Sequence, residues 1–291
     1  MILLKKLFAP VESMDADAAR KYLASHPEGT FTLLDVRQPG EYEEEHIPGA
    51  TLIPLPQLND QYEKLDPEKP TLVHCAIGGR SRVAAQLLSG LGFKEVYNLA
   101  GGIKAYRGEK ATGPQELNLE LIRGDESPPE VVILAYSMEK GLQTFHEAVA
   151  VQTADADLAA LCRQLARIEE LHEEKLAGLY RQLEPGGKDL PALMAEREPV
   201  LMEGGFKPQE FLQQNAALMK SLPEMLELAM MLETQALDLY LRFAAKLTHP
   251  QAKEVLYTLA QEEKAHLARL AKLWEEKRVG GGDQDRAASS E

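Results

Sequence analysis

LARIEELHEEKLAGLY, residues 165–180, and LAQEEKAHLARLAKLW, residues 259–274, lie 94 residues apart and coincide where they carry chemistry. Glu169 falls on Glu263 and His172 on His266. Working outward without a gap, Glu139 falls on Glu233, and Leu134, Ala135, Ala150, Leu165, Ala166, Leu176, Ala177 and Leu179 also meet identical partners. Chance would scatter such identities among the common alanines and leucines. It would not set both Glu-x-x-His pairs on each other.

Each repeat reads as a helical hairpin: residues 129–153, a turn at ADAD and residues 158–180, then residues 223–247, a turn at THPQ and residues 252–277. Leu, Ala, Glu, Lys, Gln and Met dominate from Val131 onward, the composition of long helices. A crossover of residues 181–222, broken by glycines and carrying a helix expected over 208–220, joins them into a four-helix bundle. Side chains at i and i+3 share a helix face, so Glu169 and His172 project together, as do Glu263 and His266. Glu139 and Glu233 each precede such a Glu by 30 residues, which lets the chain climb one helix and return to the same level. Four carboxylates and two imidazoles then converge. Burying so many like charges is untenable without cations, and mixed Glu/His ligation suits a pair of iron ions, with manganese as the alternative.

Over about 150 residues these positions resemble the ferritin-like superfamily, most closely its rubrerythrin-type di-iron domains. The resemblance implies that Glu139, Glu169, His172, Glu233, Glu263 and His266 are metal ligands, with Glu169 and Glu263 bridging and Glu139 and Glu233 terminal. Tyr240, seven residues after Glu233, is placed to hydrogen-bond a ligand. Its repeat partner is His146, which reads as a further ligand, a proton shuttle or a buried histidine. Cys162 reads as a small core residue. Two departures matter. No Cys-x-x-Cys is present to carry a rubredoxin centre, so electrons must come from an external donor, and Ala236 stands where an additional glutamate would be expected.

The first 110 or so residues have a different grammar. FTLLDVR (31–37), TLVHC (71–75) and VYNLAGG (96–102) read as buried parallel strands, and DADAARKYLA (15–24) and SRVAAQLLSGLG (81–92) as helices. Between the second strand and the second helix lies Cys75 followed by AIGGR. Such a loop turns backbone N–H groups inward as an anion cradle at a helix N-terminus, which favours a thiolate. Cysteine phosphatases space Cys and Arg as C-x5-R, whereas Cys75 to Arg80 is C-x4-R. The tighter ring suits a persulfide.

The loop resembles that of rhodanese sulfurtransferases. LLDVRQPGEYEEEHIPGATLIPL (33–55) and NLAGGIKAY (98–106) extend the resemblance over about 100 residues, with Tyr106 in place of a usual tryptophan. It implies Cys75 as nucleophile, Arg80 as a fixed charge at the catalytic loop, Ala76, Ile77, Gly78 and Gly79 as substrate-binding backbone, and Asp35 and Arg37 as supports.

The chain of 291 residues is therefore expected to be an α/β rhodanese-like domain with a parallel sheet (1–112), a linker (113–128), an all-α ferritin-like four-helix bundle (129–278) and a disordered tail (279–291). A formal charge of −14 argues against nucleic acid. Two cysteines make no disulfide framework, MILLKKLFAP lacks the form of a signal peptide, and no apolar run is long enough for a membrane helix, so a cytoplasmic protein is expected. The expected partners are a small sulfane-sulfur donor, a thiol acceptor, an external electron donor and a second copy in a homodimer. The implied function is persulfide-forming sulfur transfer at Cys75 joined to peroxide- or oxygen-linked redox chemistry. The alternative is a metal-binding or sensing protein in which the rhodanese domain only docks and the bundle stores or senses iron.

Overall fold

A computed structural model of the chain describes residues 11–195, 201–216, 219 and 221–288. It divides into two compact units, residues 1–120 and 121–291.

The first unit is built on five strands: β1 (Glu12–Met14), β2 (Thr32–Asp35), β3 (Thr51–Leu52), β4 (Thr71–His74) and β5 (Val96–Leu99). They pair in parallel in the order β1-β5-β4-β2-β3. Every residue of the central strand β4 is buried. Alternation along the strands sends Leu33 and Leu72 to one core, with Leu99 and Tyr42, and Leu34 and Val73 to another, with Ala84, Ala85 and Leu88. A parallel sheet covered on both faces reads as continuous apolar runs, which is why β2 and β4 were legible. The edge strands β1 and β3 are too short to show a period.

Helix α1 (Ala16–Ser25) is capped by Asp15, whose Oδ1 accepts from Ala18 N at 2.8 Å. Helix α2 (Pro39–Glu44) was not expected; it has Pro39 in its first turn and a Gln38/Glu41 capping box. Helix α3 (Gly79–Gly90) begins directly after the cysteine loop, and the single turn α4 (Gly102–Ala105) follows β5.

The second unit holds four long helices: α5 (Pro128–Gln152), α6 (Ala156–Leu183), α9 (Leu222–Lys246) and α10 (Pro250–Ala288), with α7 (Leu190–Ala195) and α8 (Pro208–Asn215) in the crossover. Pro128 and Pro129 occupy the first turn of α5 behind a Ser127/Glu130 capping box. Phe145, Leu165, Leu226, Leu232 and Leu270, drawn from all four long helices, share one core. The crossover lies against α5 at Gly141, where an added Cβ would come within 2.3 Å of the Leu201 carbonyl oxygen. Only glycine admits that approach, two residues from Glu139.

Three expectations are modified. Helix α8 stops at Asn215; residues 217, 218 and 220 of the segment expected to be helical lie outside the described residues. The backbone of α10 continues to Ala288, past the glycines after Val279 where disorder was expected, while residues 289–291 lie outside the described residues. Extending a helix adds a hydrogen bond for each residue fixed, so even glycines can follow an established one. The segment expected as a linker is held at both ends. Gly113 N donates to Glu43 O at 2.8 Å in the first unit, and Thr248 N donates to Gly124 O at 2.8 Å in the second. No helix among the described residues is long and apolar enough to cross a membrane.

Candidate functional site

Cys75 stands at the C-terminal end of β4, in the loop leading into α3, the usual place for a ligand site in an open parallel sheet. Gly78, the N-cap of α3, has φ +93°, and its amide donates to Cys75 Sγ at 3.1 Å. The Ser81 hydroxyl lies 3.3 Å from Sγ and 2.7 Å from Asn98 Oδ1, two acceptors for one proton. The segment after β5 locks the loop from outside: Ile103 N donates to Cys75 O and Lys104 N to Ala76 O, at 2.8 and 3.1 Å. Gly102 (φ +60°) lies so close that a Cβ there would sit 2.3 Å from Cys75 O.

Burial pushes the Cys75 thiol pKa up, but the Ser81 hydroxyl and the N–H groups of Ser81, Ile77 and Gly78 outweigh it, leaving a lowered pKa. These donors shift the thiol toward its thiolate form. Ala76 is half-buried and Ile77 is 69% exposed, so the loop presents its backbone inward and the Ile77 side chain to solvent. Gly79, the first residue of α3, has nothing within 4 Å of an added Cβ.

Arg80 is not a free charge. Its Nη1 and Nη2 donate to Glu41 at 2.7 and 2.6 Å, and this hydrogen-bonded pairing holds the Glu41 carboxyl down at about 2. Asp35 and Arg37 form a buried pair at 2.7 Å, with Arg37 Nη2 also on the Glu45 carbonyl, which is the supporting role expected of them. His74 is fully buried beside Asp35, and desolvation lowers its pKa to about 4. Ser81, Glu41 and Asn98 are contributors the sequence did not single out. The capping-box spacing from Gln38 to Glu41 was a readable signal for one of them; nothing marked the other two.

In the second unit the six expected ligands meet, all buried. Glu139, Glu169 and His172 offer one ligand atom each within 4.8 Å of one another, and so do Glu233, Glu263 and His266. His172 Nδ1 lies 2.9 Å from Glu169 Oε2 and 3.2 Å from Glu139 Oε2. His266 Nδ1 lies 3.2 Å from Glu263 Oε2 and 3.5 Å from Glu233 Oε2. The two imidazoles stack with centroids 4.3 Å apart, which joins the triads into one cluster.

A rhodanese-like domain family matches residues 16–109, and the rubrerythrin family matches residues 130–274. The chain belongs to both families, one in each unit. Thiosulfate sulfurtransferase GlpE of Coxiella burnetii is 42% identical over 88 residues, 30% of this chain and 82% of that protein. The chloroplastic rhodanese-like/PpiC domain-containing protein 12 of Arabidopsis thaliana is 49% identical over 78 residues, and this chain spans only 26% of its length. Protein YqhL of Bacillus subtilis is 44% identical over 77 residues, with 61% of its length covered.

Membership of the rubrerythrin family implies a di-iron site, and the residues fit one. Four carboxylates and two imidazoles form two similar sets in a buried cluster, a mixed oxygen and nitrogen donor set that suits iron. Burial raises the Glu233 pKa, but its interactions with Glu263 and His266 prevail and lower it. Around the cluster of the rubrerythrin domain, Tyr240 and His146 are both buried. Glu173, next to His172, is also buried, hydrogen-bonded to Tyr136 and 3.5 Å from Lys140 Nζ, a pairing the sequence did not reveal. Cys162 lies in the apolar core, and burial raises its thiol to about 11, so it is a packing residue.

Proposed function

We propose that the rhodanese-like domain is a sulfurtransferase that carries a persulfide on Cys75, and that the rubrerythrin domain holds two iron ions for peroxide- or oxygen-linked redox chemistry. The observation that carries the first part is the set of donors on one sulfur: Gly78 N–H and the Ser81 hydroxyl on Cys75 Sγ, at the N-terminus of a three-turn helix.

The Cys75 thiolate attacks the outer sulfur of thiosulfate. A new S–S bond forms, the old one breaks, and sulfite leaves with the electron pair. The N–H groups of the loop and the dipole of α3 stabilise the negative charge on the persulfide. Cyanide or an acceptor thiolate then attacks the outer sulfur, and Cys75 departs as the thiolate it was. Arg80, held by Glu41, braces the loop and leaves most of the charge stabilisation to the backbone.

In the rubrerythrin domain, Glu139, Glu169, His172, Glu233, Glu263 and His266 would hold the ions. Two iron ions there would supply electrons to peroxide or dioxygen, replenished by an external donor. The apolar core around the cluster, including Leu142, Phe145 and Leu232, excludes bulk water.

The test is thiocyanate formation from thiosulfate and cyanide, with metal analysis of the same preparations. Wild type is expected to turn over and Cys75→Ala not to; equally slow formation by both would leave the domain as a docking module. Glu169→Ala combined with Glu263→Ala is expected to lose both metals. Retention of two per chain would overturn the proposed centre.

A further inference from the structure

The two hairpins repeat each other, but at one buried position they differ in chemistry. His146 follows Glu139 by seven residues on α5, as Tyr240 follows Glu233 on α9. Seven residues are close to two turns, so each side chain shares a face with its glutamate. Both are 1% exposed. A phenol at this place is an ordinary hydrogen-bond partner for a ligand. An imidazole brings a nitrogen donor.

The surroundings of His146 are those of a ligand. Its Nε2 lies 3.9 Å from Glu169 Oε1, too far for a hydrogen bond. Two atoms each about 2.1 Å from one divalent ion lie at most about 4.2 Å apart, so 3.9 Å is within reach of a shared metal. The other oxygen of Glu169 faces His172 Nδ1 at 2.9 Å, so the two oxygens of one carboxylate address two different imidazoles. His146 Nδ1 is buried with no hydrogen-bond partner.

We propose that His146 is a third imidazole ligand of the di-metal centre, binding beside Glu169 and making the two metal positions chemically unequal. The proposal rests on the di-metal reading above. The metal on the Glu169 oxygen that faces His146 would have an imidazole for which the other hairpin offers only Tyr240 at the matching position. An unequal pair separates a tighter, more nitrogen-rich position from a weaker one.

The experiment is anaerobic titration of the metal-stripped full chain with Co(II), read by calorimetry and by the visible ligand-field bands. Wild type should take up two Co(II) with unequal affinity. His146→Tyr, which copies the other hairpin, should weaken the tighter step by about tenfold or more and change its visible spectrum. His146→Gln, smaller and still polar, should do the same, with circular dichroism confirming that each variant is folded. X-ray absorption should count three imidazoles per metal pair in wild type and two in either variant. Two Co(II) bound by both folded variants with unchanged affinities and spectra would overturn the role of His146 and leave the di-metal reading intact. Failure of wild type to bind Co(II) at all would overturn both.

Discussion

The Cys75 loop and the carboxylate cluster meet opposite electrostatic demands with different parts of the chain. Around Cys75 the protein gathers N–H and O–H donors for a single anion, and most come from the backbone. In the rubrerythrin domain it gathers four carboxylates and two imidazoles, and every donor is a side chain. The first site depends on backbone conformation, so glycines guard it. The second depends on which residues stand on which helical faces. A backbone site should be broken by adding atoms, and a side-chain site by removing them.

The largest expected effect lies in the side-chain site. Saturating the stripped protein with metal at about 1,000 times its dissociation constant should stabilise the second unit by about 4 kcal/mol. In Glu169→Ala with Glu263→Ala that gain should disappear, as read by the metal dependence of thermal unfolding. Thiocyanate formation by the same variant should be unchanged.

Next comes the added atom. Gly102→Ala places a Cβ 2.3 Å from Cys75 O at a positive φ, so the loop must shift. A displacement of about 1 Å at a reacting group costs on the order of 10²-fold, to be read in kcat/KM for thiosulfate, with metal uptake intact. Gly79→Ala, with open space at its Cβ, is the control and should retain near-normal turnover.

A smaller effect tests the Ser81 hydroxyl, a side-chain donor in the backbone site. The Cys75 pKa is lowered in part by Ser81, so in Ser81→Ala the thiolate should form at higher pH. A hydrogen bond to a charged group is worth about 1.5–3 kcal/mol, so turnover at pH 6 should fall by about tenfold or more. The deficit should shrink as the pH rises past the variant's thiol pKa. An unshifted pH profile would mean that Ser81 plays no part in setting the thiolate.

The smallest concerns the brace. Glu41 ionises at about 2 in the folded protein, below the ordinary carboxylate value of about 4.3. Its pairing with Arg80 therefore stabilises the fold fully above that ordinary value, and the contribution is lost as the pH falls through 2. Both side chains are about one-third exposed, at 35% and 36%, so solvent screening keeps the effect to about 1 kcal/mol or less. Thermal unfolding of Glu41→Gln should show a small deficit at pH 7 that vanishes near pH 2.

The same contrast explains what could be read in advance. The long helices, the central strands and the gathering of six Glu and His side chains were legible, because helical period, buried runs and the 94-residue repeat are properties of the order of residues. Even the register of the cluster followed, since i and i+3 share a face in any helix. The short edge strands and α2 were not legible, because elements of two to six residues leave no period and depend on what they pack against.

The roles of polar partners divided in the same way. Sequence order alone marked two domains of different grammar, a candidate nucleophile followed by a five-residue loop, and a duplicated Glu-x-x-His hairpin. It gave Arg80 as a fixed charge with no partner named and left His146 with three readings. Only the tertiary structure gave Arg80 to Glu41, 39 residues away, brought Ser81 and Asn98 to the sulfur, and set His146 across from Glu169. The physical reason is range: periodicity and loop length act between neighbours in the chain, whereas hydrogen bonds and charges choose partners by distance in space.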